Sequence, residues 1–107
     1  MKYNVHVISD AEKDLFEIYD YIKKSGYPQN AGKIFSEIET ACQNLSFSPG
    51  KGHYPPELQR IDVHEYREIH VKVYRIIYQI IESDVFIHCI LDGRRNIPEI
   101  LQQRNLR

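Results

Sequence analysis

Three β-rich segments, separated by very short breaks, most strongly constrain how this chain can fold. They span Glu65–Val71, Val73–Ile81 and Val85–Leu91, and they consist largely of β-branched and aromatic residues. The second break, Glu82–Asp84, has room only for a hairpin turn, because parallel strands need a crossover of about a dozen residues or more. The three segments therefore predict an antiparallel meander.

A short strand and two amphipathic helices precede the meander. Residues Tyr3–Ile8 predict the strand, and Ser9 followed by Glu12 has the spacing of a capping box at the start of the first helix. This helix is expected to end near Gly26, and Pro28 opens the second helix. Because apolar residues recur at helical spacing in both, the helices should form an antiparallel hairpin that packs on the sheet.

The remaining segments are a loop rich in turn residues and a short C-terminal helix. Ser46–Pro56 contains two glycines and three prolines, which predict a surface loop, and its PGKG lacks the spacing of a phosphate-binding loop. The helix follows the loop DGRRN, begins near Pro98 and carries Ile100, Leu101 and Leu106. The whole order predicts an α+β fold, β-α-α-β-β-β-α, with a mainly antiparallel four-stranded sheet.

Length and composition favour a single globular domain over residues 1–107, because a chain of 107 residues has room for one ordinary core. There is no apolar run of the roughly 18 residues that a membrane span needs, and the N-terminus lacks the apolar stretch of a secretory signal. Cys42 and Cys89 lie in apolar segments without metal-binding or disulfide spacing. We therefore expect a cytoplasmic protein with no membrane association and no cofactor.

The middle β segment is the most informative about function. Alternation places an apolar set on the side that should pack against the helices: Tyr74, Ile76, Tyr78 and Ile80. The opposite side mixes aliphatic residues with a charge and an amide: Val73, Arg75, Ile77, Gln79 and Ile81. A charge in a central strand is costly to desolvate unless it is paired or used, so Arg75 requires an explanation.

Two explanations of Arg75 remain open at this point. In the first, Arg75 forms an ion pair with Glu68 or Asp92 and is structural. In the second, this side of the sheet is a concave groove lined with arginines, which suit phosphates or the carboxylates of an acidic partner. All seven arginines of the chain lie from Arg60 onward, and four of them are candidates to join Arg75 in the groove: Arg67, Arg94, Arg95 and Arg104.

The histidines offer candidate general bases. His70 and His88 lie in predicted strands, and imidazole titrates near neutrality, although a hydrogen-bonded structural histidine is the competing interpretation. None of the five histidines has a helical i, i+4 partner or a cysteine at ligand spacing, so the sequence predicts no metal site.

The order of these segments resembles the RelE/ParE toxin superfamily. The likeness covers nearly the whole chain and depends most on YRIIY at positions 74–78 and DGRRN at positions 92–96. It is supported by the SPGKG loop and by AEKDL at positions 11–15 in the first helix. The resemblance implies a small toxin that is neutralised by an antitoxin encoded next to it, in a toxin-antitoxin hetero-oligomer.

The superfamily implies two different activities. RelE-like members cut messenger RNA on the ribosome without a metal, whereas ParE-like members poison DNA gyrase. By resemblance, Arg75 matches the RelE-like strand arginine at the scissile phosphate, and Arg94 or Arg95 matches the arginine after the last strand. In a nuclease, His70 or His88 would be the base. Target or phosphate contacts would come from several residues: Arg67, Arg75, Gln79, Arg94, Arg95 and Arg104.

Departures from the RelE-like pattern favour the ParE-like activity. No aromatic residue follows Phe86, where RelE-like nucleases carry a tyrosine, and only Lys72 is available where they carry a lysine pair. In either case we expect an acidic, apolar antitoxin segment to bind the groove side of the middle strand, at Val73, Arg75, Ile77 and Ile81. A toxin that has lost its activity and only binds the antitoxin is a third possibility.

Overall fold

The computed structural model describes residues 2–105 of the chain. The predicted Leu106 of the last helix lies outside the described residues. The elements follow the predicted order: β1 (Asn4–Val7), α1 (Ser9–Lys24), α2 (Pro28–Asn44), α3 (Pro56–Gln59), β2 (Arg67–Val71), β3 (Tyr74–Ile81), β4 (Asp84–Asp92) and α4 (Ile97–Asn105). Two short elements within the described residues were not predicted: a 3-10 turn at Pro49–Lys51 and the single helical turn α3.

The four strands form one mixed sheet in the order β1-β4-β3-β2. The meander is confirmed, since β2, β3 and β4 pair antiparallel. β1 instead runs parallel to β4, with Asn4 beside Asp84 and Val7 beside Ile87. The α1–α2 hairpin, α3, β2 and β3 lie between β1 and β4 in the chain, and such a long connection allows parallel pairing.

The helix side of the sheet holds the main core, as the alternation of β3 predicted. Ile76 and Tyr78 are fully buried there, while Tyr74 and Ile80 are partly buried against the same cluster. α1 and α2 contribute apolar side chains of the expected stripes: Ala11, Leu15, Ile38 and Cys42. Burial of these side chains supplies most of the hydrophobic stabilisation of the fold.

The other side of the sheet carries a second, smaller core. α3 and α4 cover it, and Ile77 is fully buried beneath them. Its remaining members come from α3, β4, α4 and the segment before β2: Leu58, Tyr66, Cys89, Leu91, Ile97 and Leu101. This side is therefore not the continuous open groove that the second explanation of Arg75 assumed.

The start of α1 differs from the sequence prediction, whereas its end agrees with it. Ile8 is the N-cap residue, no side chain caps the helix, and the Glu12 amide donates to the Ile8 carbonyl oxygen at 3.0 Å, so the expected Ser9–Glu12 capping box is wrong. The helix ends at Lys24, and Gly26 follows with a φ of 98°. Glycine adopts this left-handed conformation without steric cost and so allows the sharp turn into α2. No helix within residues 2–105 is both long and apolar enough to cross a membrane.

Candidate functional site

An open cavity of about 450 Å³ lies where the start of β3 meets β2 and α3. Ionisable side chains dominate its lining: His53, Glu57, Arg60, Glu68, His70, Lys72 and Arg75. Gly93 also lines the cavity and brings the loop after β4 to its rim. This cavity contains three candidate site residues of the sequence analysis, His70, Val73 and Arg75, together with the predicted Arg75 partner Glu68.

Two carboxylates hold the Arg75 guanidinium at the base of the cavity. Its Nε donates to Glu68 Oε1 at 2.8 Å and its Nη2 donates to Glu68 Oε2 at 2.8 Å. On the other side, Nη1 and Nη2 donate to the two Glu57 oxygens, both at 2.7 Å. Arg75 is only 9% exposed, so its charge is matched by two bidentate carboxylates rather than offered to solvent.

The geometry favours the ion-pair explanation of Arg75. Glu68 was one of the two expected partners, whereas Asp92 pairs with Arg94 instead. Hydrogen bonds from Arg75 lower the pKa of Glu57. Burial alone would raise the pKa of Glu68, but hydrogen bonds from Arg75 and His70 outweigh burial and lower it. Both carboxylates therefore remain ionised at neutral pH, and Arg75 remains neutralised.

Two histidines lie against the buried Glu68 carboxylate. His70 Nε2 is 2.6 Å from Glu68 Oε1, and His53 Nε2 is 3.6 Å from Glu68 Oε2. The two imidazole rings meet edge to face, with centroids 5.2 Å apart. Both histidines are about half exposed, whereas the Glu68 side chain is fully buried. The structure thus brings together three metal-ligating side chains that neither helical spacing nor a cysteine indicated in the sequence.

Arg67 does not join Arg75, contrary to the sequence prediction. In the β2–β3 register, Arg67 pairs with Tyr78 and His70 pairs with Arg75, so Arg67 faces the helix side of the sheet. There its Nη1 donates to the Gly52 carbonyl oxygen at 2.9 Å, and its guanidinium stacks on Tyr54 at 4.7 Å. Arg67 thus fixes the loop before β2.

The expected convergence of five arginines is also wrong. Arg94 is almost fully exposed and bonds to Asp92, and Arg95 is exposed in the same loop. Arg104 lies elsewhere: its Nη2 donates to Asp14 Oδ1 at 2.7 Å, and its Nη1 donates to the His88 carbonyl oxygen at 2.8 Å. α4 carries Arg104 toward α1 and the free edge of β4, so this arginine has a structural contact.

Gln79 and His88 contact each other rather than the cavity. His88 Nε2 is 3.1 Å from Gln79 Oε1, and the His88 ring meets Tyr66 edge to face. Burial and the nearby Arg104 lower the pKa of His88, which keeps its imidazole neutral at neutral pH. Of the two candidate bases, only His70 lies in the cavity.

The four residues expected to bind an antitoxin have different exposures. Val73, in the turn just before β3, and Ile81, the last residue of β3, are exposed at 64% and 48%. Ile77 is fully buried under α4, and Arg75 is nearly buried by its carboxylates. A continuous apolar strip along β3 is therefore absent, because α3 and α4 already cover the centre of the strand.

Sequence reasoning missed Glu57 and His53 as members of the site. Glu57 lies on α3, a helix too short to produce a periodic pattern, so only the structure shows its contact with Arg75. His53 reaches Glu68 through a single antiparallel bridge. The spacing Glu68-x-His70 was an available signal, since residues i and i+2 of a strand face the same side.

Comparison with known proteins identifies the family. The model of the ParE toxin of type II toxin-antitoxin systems, parDE, matches residues 6–97. The chain belongs to this ParE toxin family. No curated protein matches the ParE-family chain described here at a significant level.

Solved toxin structures share the fold of this ParE-family chain. The chromosomal ParDE toxin-antitoxin system of P. aeruginosa matches with a TM-score of 0.72 and 18% identity, over 85% of this chain and 96% of that chain. The RelBE2 complex of Mycobacterium tuberculosis matches with a TM-score of 0.58 and 20% identity, over 86% and 99%. A mutant of E. coli RelE in the free state matches with a TM-score of 0.62 and 15% identity, over 95% and 93%.

Proposed function

We propose that this ParE-family toxin arrests growth by inhibiting DNA gyrase, and that it does not cleave messenger RNA. Membership of the ParE family supports this choice between the two activities of the superfamily. A gyrase poison binds and traps another enzyme, so it needs a binding surface but no proton-transfer groups. Gyrase inhibition also implies that the protein acts in the cytoplasm.

The state of Arg75 is the observation on which the proposal rests. In the RelE-like pattern, this strand arginine contacts the scissile phosphate and neutralises charge that develops in the transition state. Here four hydrogen bonds connect it to Glu57 and Glu68, and the side chain is only 10% exposed. A phosphate could reach Arg75 only by displacing Glu57, and the adjacent Glu68 charge would still repel it.

One observation favours the nuclease as a second candidate. His53 and His70 flank a buried carboxylate inside the cavity, and Arg60 and Lys72 line the same cavity. Two imidazoles can act as general base and general acid in an attack by a 2′-hydroxyl group. The histidine pair is thus the set of residues that a nuclease test must remove.

An antitoxin partner follows from the same family membership. We expect an antitoxin segment to contact the exposed ends of β3, Val73 and Ile81, rather than the buried Ile77. These ends are separated by eight residues of strand, or roughly 26 Å at 3.3 Å per residue. A segment that touches both must therefore pass over α3 and α4, in a toxin-antitoxin hetero-oligomer.

A paired experiment separates the two activities. Purified toxin is added to a gyrase supercoiling assay, and RNA 5′ ends are mapped after brief induction of the toxin alone in growing bacteria. We expect inhibition of supercoiling, and arrested cells whose messages carry no new ends within codons. New codon-associated ends with normal supercoiling would overturn the proposal.

Histidine variants sharpen this comparison. The double variant His53→Gln, His70→Gln removes both candidate proton-transfer groups, and His64→Gln is the matched control outside the cavity. We expect the parent, the double variant and His64→Gln to arrest growth equally, because gyrase inhibition needs no proton transfer. Loss of arrest in the double variant alone, with a normal unfolding curve, would favour the nuclease.

A further inference from the structure

One set of three metal-ligating side chains stands out among residues 2–105. Donor atoms of His53, Glu68 and His70 all lie within 4.8 Å of one another. We propose that these residues bind a divalent transition-metal ion of the Zn²⁺ class. The site is independent of gyrase inhibition and of the choice between the two activities.

The backbone brings the three ligands together. Glu68 and His70 are two residues apart on β2 and therefore project from the same side of the strand. His53 is opposite Glu68 in an antiparallel bridge: its amide donates to the Glu68 carbonyl oxygen at 3.1 Å, and the Glu68 amide donates back at 2.7 Å. Two backbone hydrogen bonds thus fix the loop histidine beside the strand.

The donor set matches the chemistry of zinc. Two imidazole nitrogens and one carboxylate form a three-ligand set to which a water can add a fourth position. Zinc bonds of about 2.0–2.1 Å in tetrahedral geometry place donor atoms roughly 3.4 Å apart. His53 Nε2 lies 3.6 Å from Glu68 Oε2, close to this value, whereas His70 Nε2 lies 2.6 Å from Glu68 Oε1. The half-exposed His70 must therefore move about 0.8 Å away from the carboxylate to admit the ion.

The surroundings of the ligands favour a metal ion. Glu68 is fully buried and fixed by Arg75, so one ligand is already oriented by an outer partner. Glu57 offsets the positive charge of Arg75, so Arg75 does not cancel the Glu68 charge that an ion would meet, although Arg60 and Lys72 add positive charge on the cavity lining. The half-exposed imidazoles give an ion access from solvent.

Zinc titration of the full chain, purified without a histidine tag, tests the proposal. Isothermal titration calorimetry with zinc chloride should show one ion per chain, and magnesium chloride should show none, since Mg²⁺ prefers oxygen ligands. His53→Ala and His70→Ala should each weaken zinc binding by at least the roughly 10–100-fold that loss of an outer-shell partner costs. Both histidines are exposed, so these variants should fold.

Two other histidine–carboxylate pairs provide matched controls. His6 lies 2.9 Å from Asp84 and His64 lies 3.5 Å from Asp62, but neither pair has a third donor beside it within the described residues 2–105. His6→Ala and His64→Ala should bind zinc as the parent does. Absence of stoichiometric zinc binding in the parent, or equal affinities in all four variants, would overturn the proposal.

Discussion

The Arg75 guanidinium is buried because two carboxylates provide both its countercharge and its hydrogen-bond acceptors. Glu68 holds one side and is itself fully buried, whereas Glu57 holds the other and is 29% exposed. These hydrogen bonds raise the pKa of Arg75 above its already high ordinary value. A buried pair of this kind contributes little net stability when intact, but breaking it from one side leaves an uncompensated charge.

Replacing Arg75 should therefore lower the free energy of unfolding, because its main role is to neutralise a buried carboxylate. In Arg75→Ala the buried Glu68 carboxylate loses its partner, and we expect unfolding in urea to show a loss of about 3–5 kcal/mol. Glu57→Ala is the matched control, because it removes the partly exposed carboxylate and leaves Arg75 paired with Glu68. We expect that variant to lose about 1 kcal/mol or less. Equal losses in the two variants would contradict the role assigned to the buried charge.

His88 should make stability depend on pH. Burial and Arg104 lower its pKa in the folded state below the ordinary value of 6.5, so the unfolded chain binds more protons between these two values. Stability is therefore fully present above about pH 6.5 and falls as the pH drops through the lowered folded-state pKa. Parallel urea titrations of the parent and His88→Gln at pH 7.5 and 5 measure this effect. The loss between the two pH values should be smaller in His88→Gln, and identical losses would refute the assignment.

At the level of elements, the segment before α3 is a structural part of the sheet. The Tyr78 hydroxyl donates to the Pro49 carbonyl oxygen and accepts a hydrogen bond from the Gly52 amide at 3.1 Å. The Gly52 carbonyl oxygen in turn accepts from Arg67 at 2.9 Å. A buried tyrosine of β3 thus finds its polar partners in the loop, which fixes the loop and positions His53.

Gly52 is required by this close packing. A Cβ at this position would overlap the Tyr78 hydroxyl and lie 2.7 Å from the Glu68 carbonyl oxygen. We expect Gly52→Ala to lose about 1–3 kcal/mol in chemical denaturation, because neither neighbour can move freely. Gly50→Ala, two residues away, is the matched control, since an added Cβ there meets nothing within 4 Å. If both variants unfold at the same urea concentration, the loop is not packed as described.

Side chains of α1 and α4 bind the backbone groups of β4 that lie beyond the end of its pairing with β1. β1 pairs with β4 only as far as Ile87, so the later backbone groups of β4 need other partners. Asp14 accepts a hydrogen bond from the Ile90 amide at 3.0 Å, and Arg104 donates to the His88 carbonyl oxygen. Because Asp14 and Arg104 also pair with each other, one ion pair joins α1, α4 and the edge of β4.

These elements show what local sequence patterns can and cannot predict. The alternation of β3 correctly assigned Ile76 and Tyr78 to the helix side and marked Arg75 as a charge that must be either paired or used, without deciding between the two. It placed Arg67 wrongly because β2 was taken to match Arg67 with Arg75, whereas the register pairs Arg67 with Tyr78. The two-residue turn between Val71 and Tyr74 fixes this register, whereas a long-range contact such as Glu57–Arg75 leaves no periodic trace in the sequence.

On the scale of the whole molecule, the sheet separates two cores of unequal size. The α1–α2 hairpin covers the larger core, which contains Cys42, and α3 and α4 cover the smaller one, which contains Cys89. Burial raises the pKa of each thiol to about 12, so both should react slowly with alkylating reagents in the native state. Each thiol therefore reports on the opening of one side of the sheet.

We predict that the smaller core opens independently of the larger one. α4 is a nine-residue helix near the end of the described chain, and Ile97 is one of its fully buried anchors. Ile97→Ala removes roughly 2–5 kcal/mol of packing. It should raise the alkylation rate of Cys89 on the order of tenfold or more relative to Cys42, as followed by peptide mass spectrometry, because a short helix held by few buried side chains opens by local unfolding.

A substitution in the larger core distinguishes local opening from global unfolding. Ile38 is fully buried on α2, so Ile38→Ala removes a similar amount of packing from the side that holds Cys42. Because both helices of the hairpin pack on the centre of the sheet, loss of this core should unfold the whole domain and accelerate both thiols together. If Ile97→Ala also accelerates Cys42 and Cys89 equally, the two cores form one cooperative unit and α4 cannot open alone.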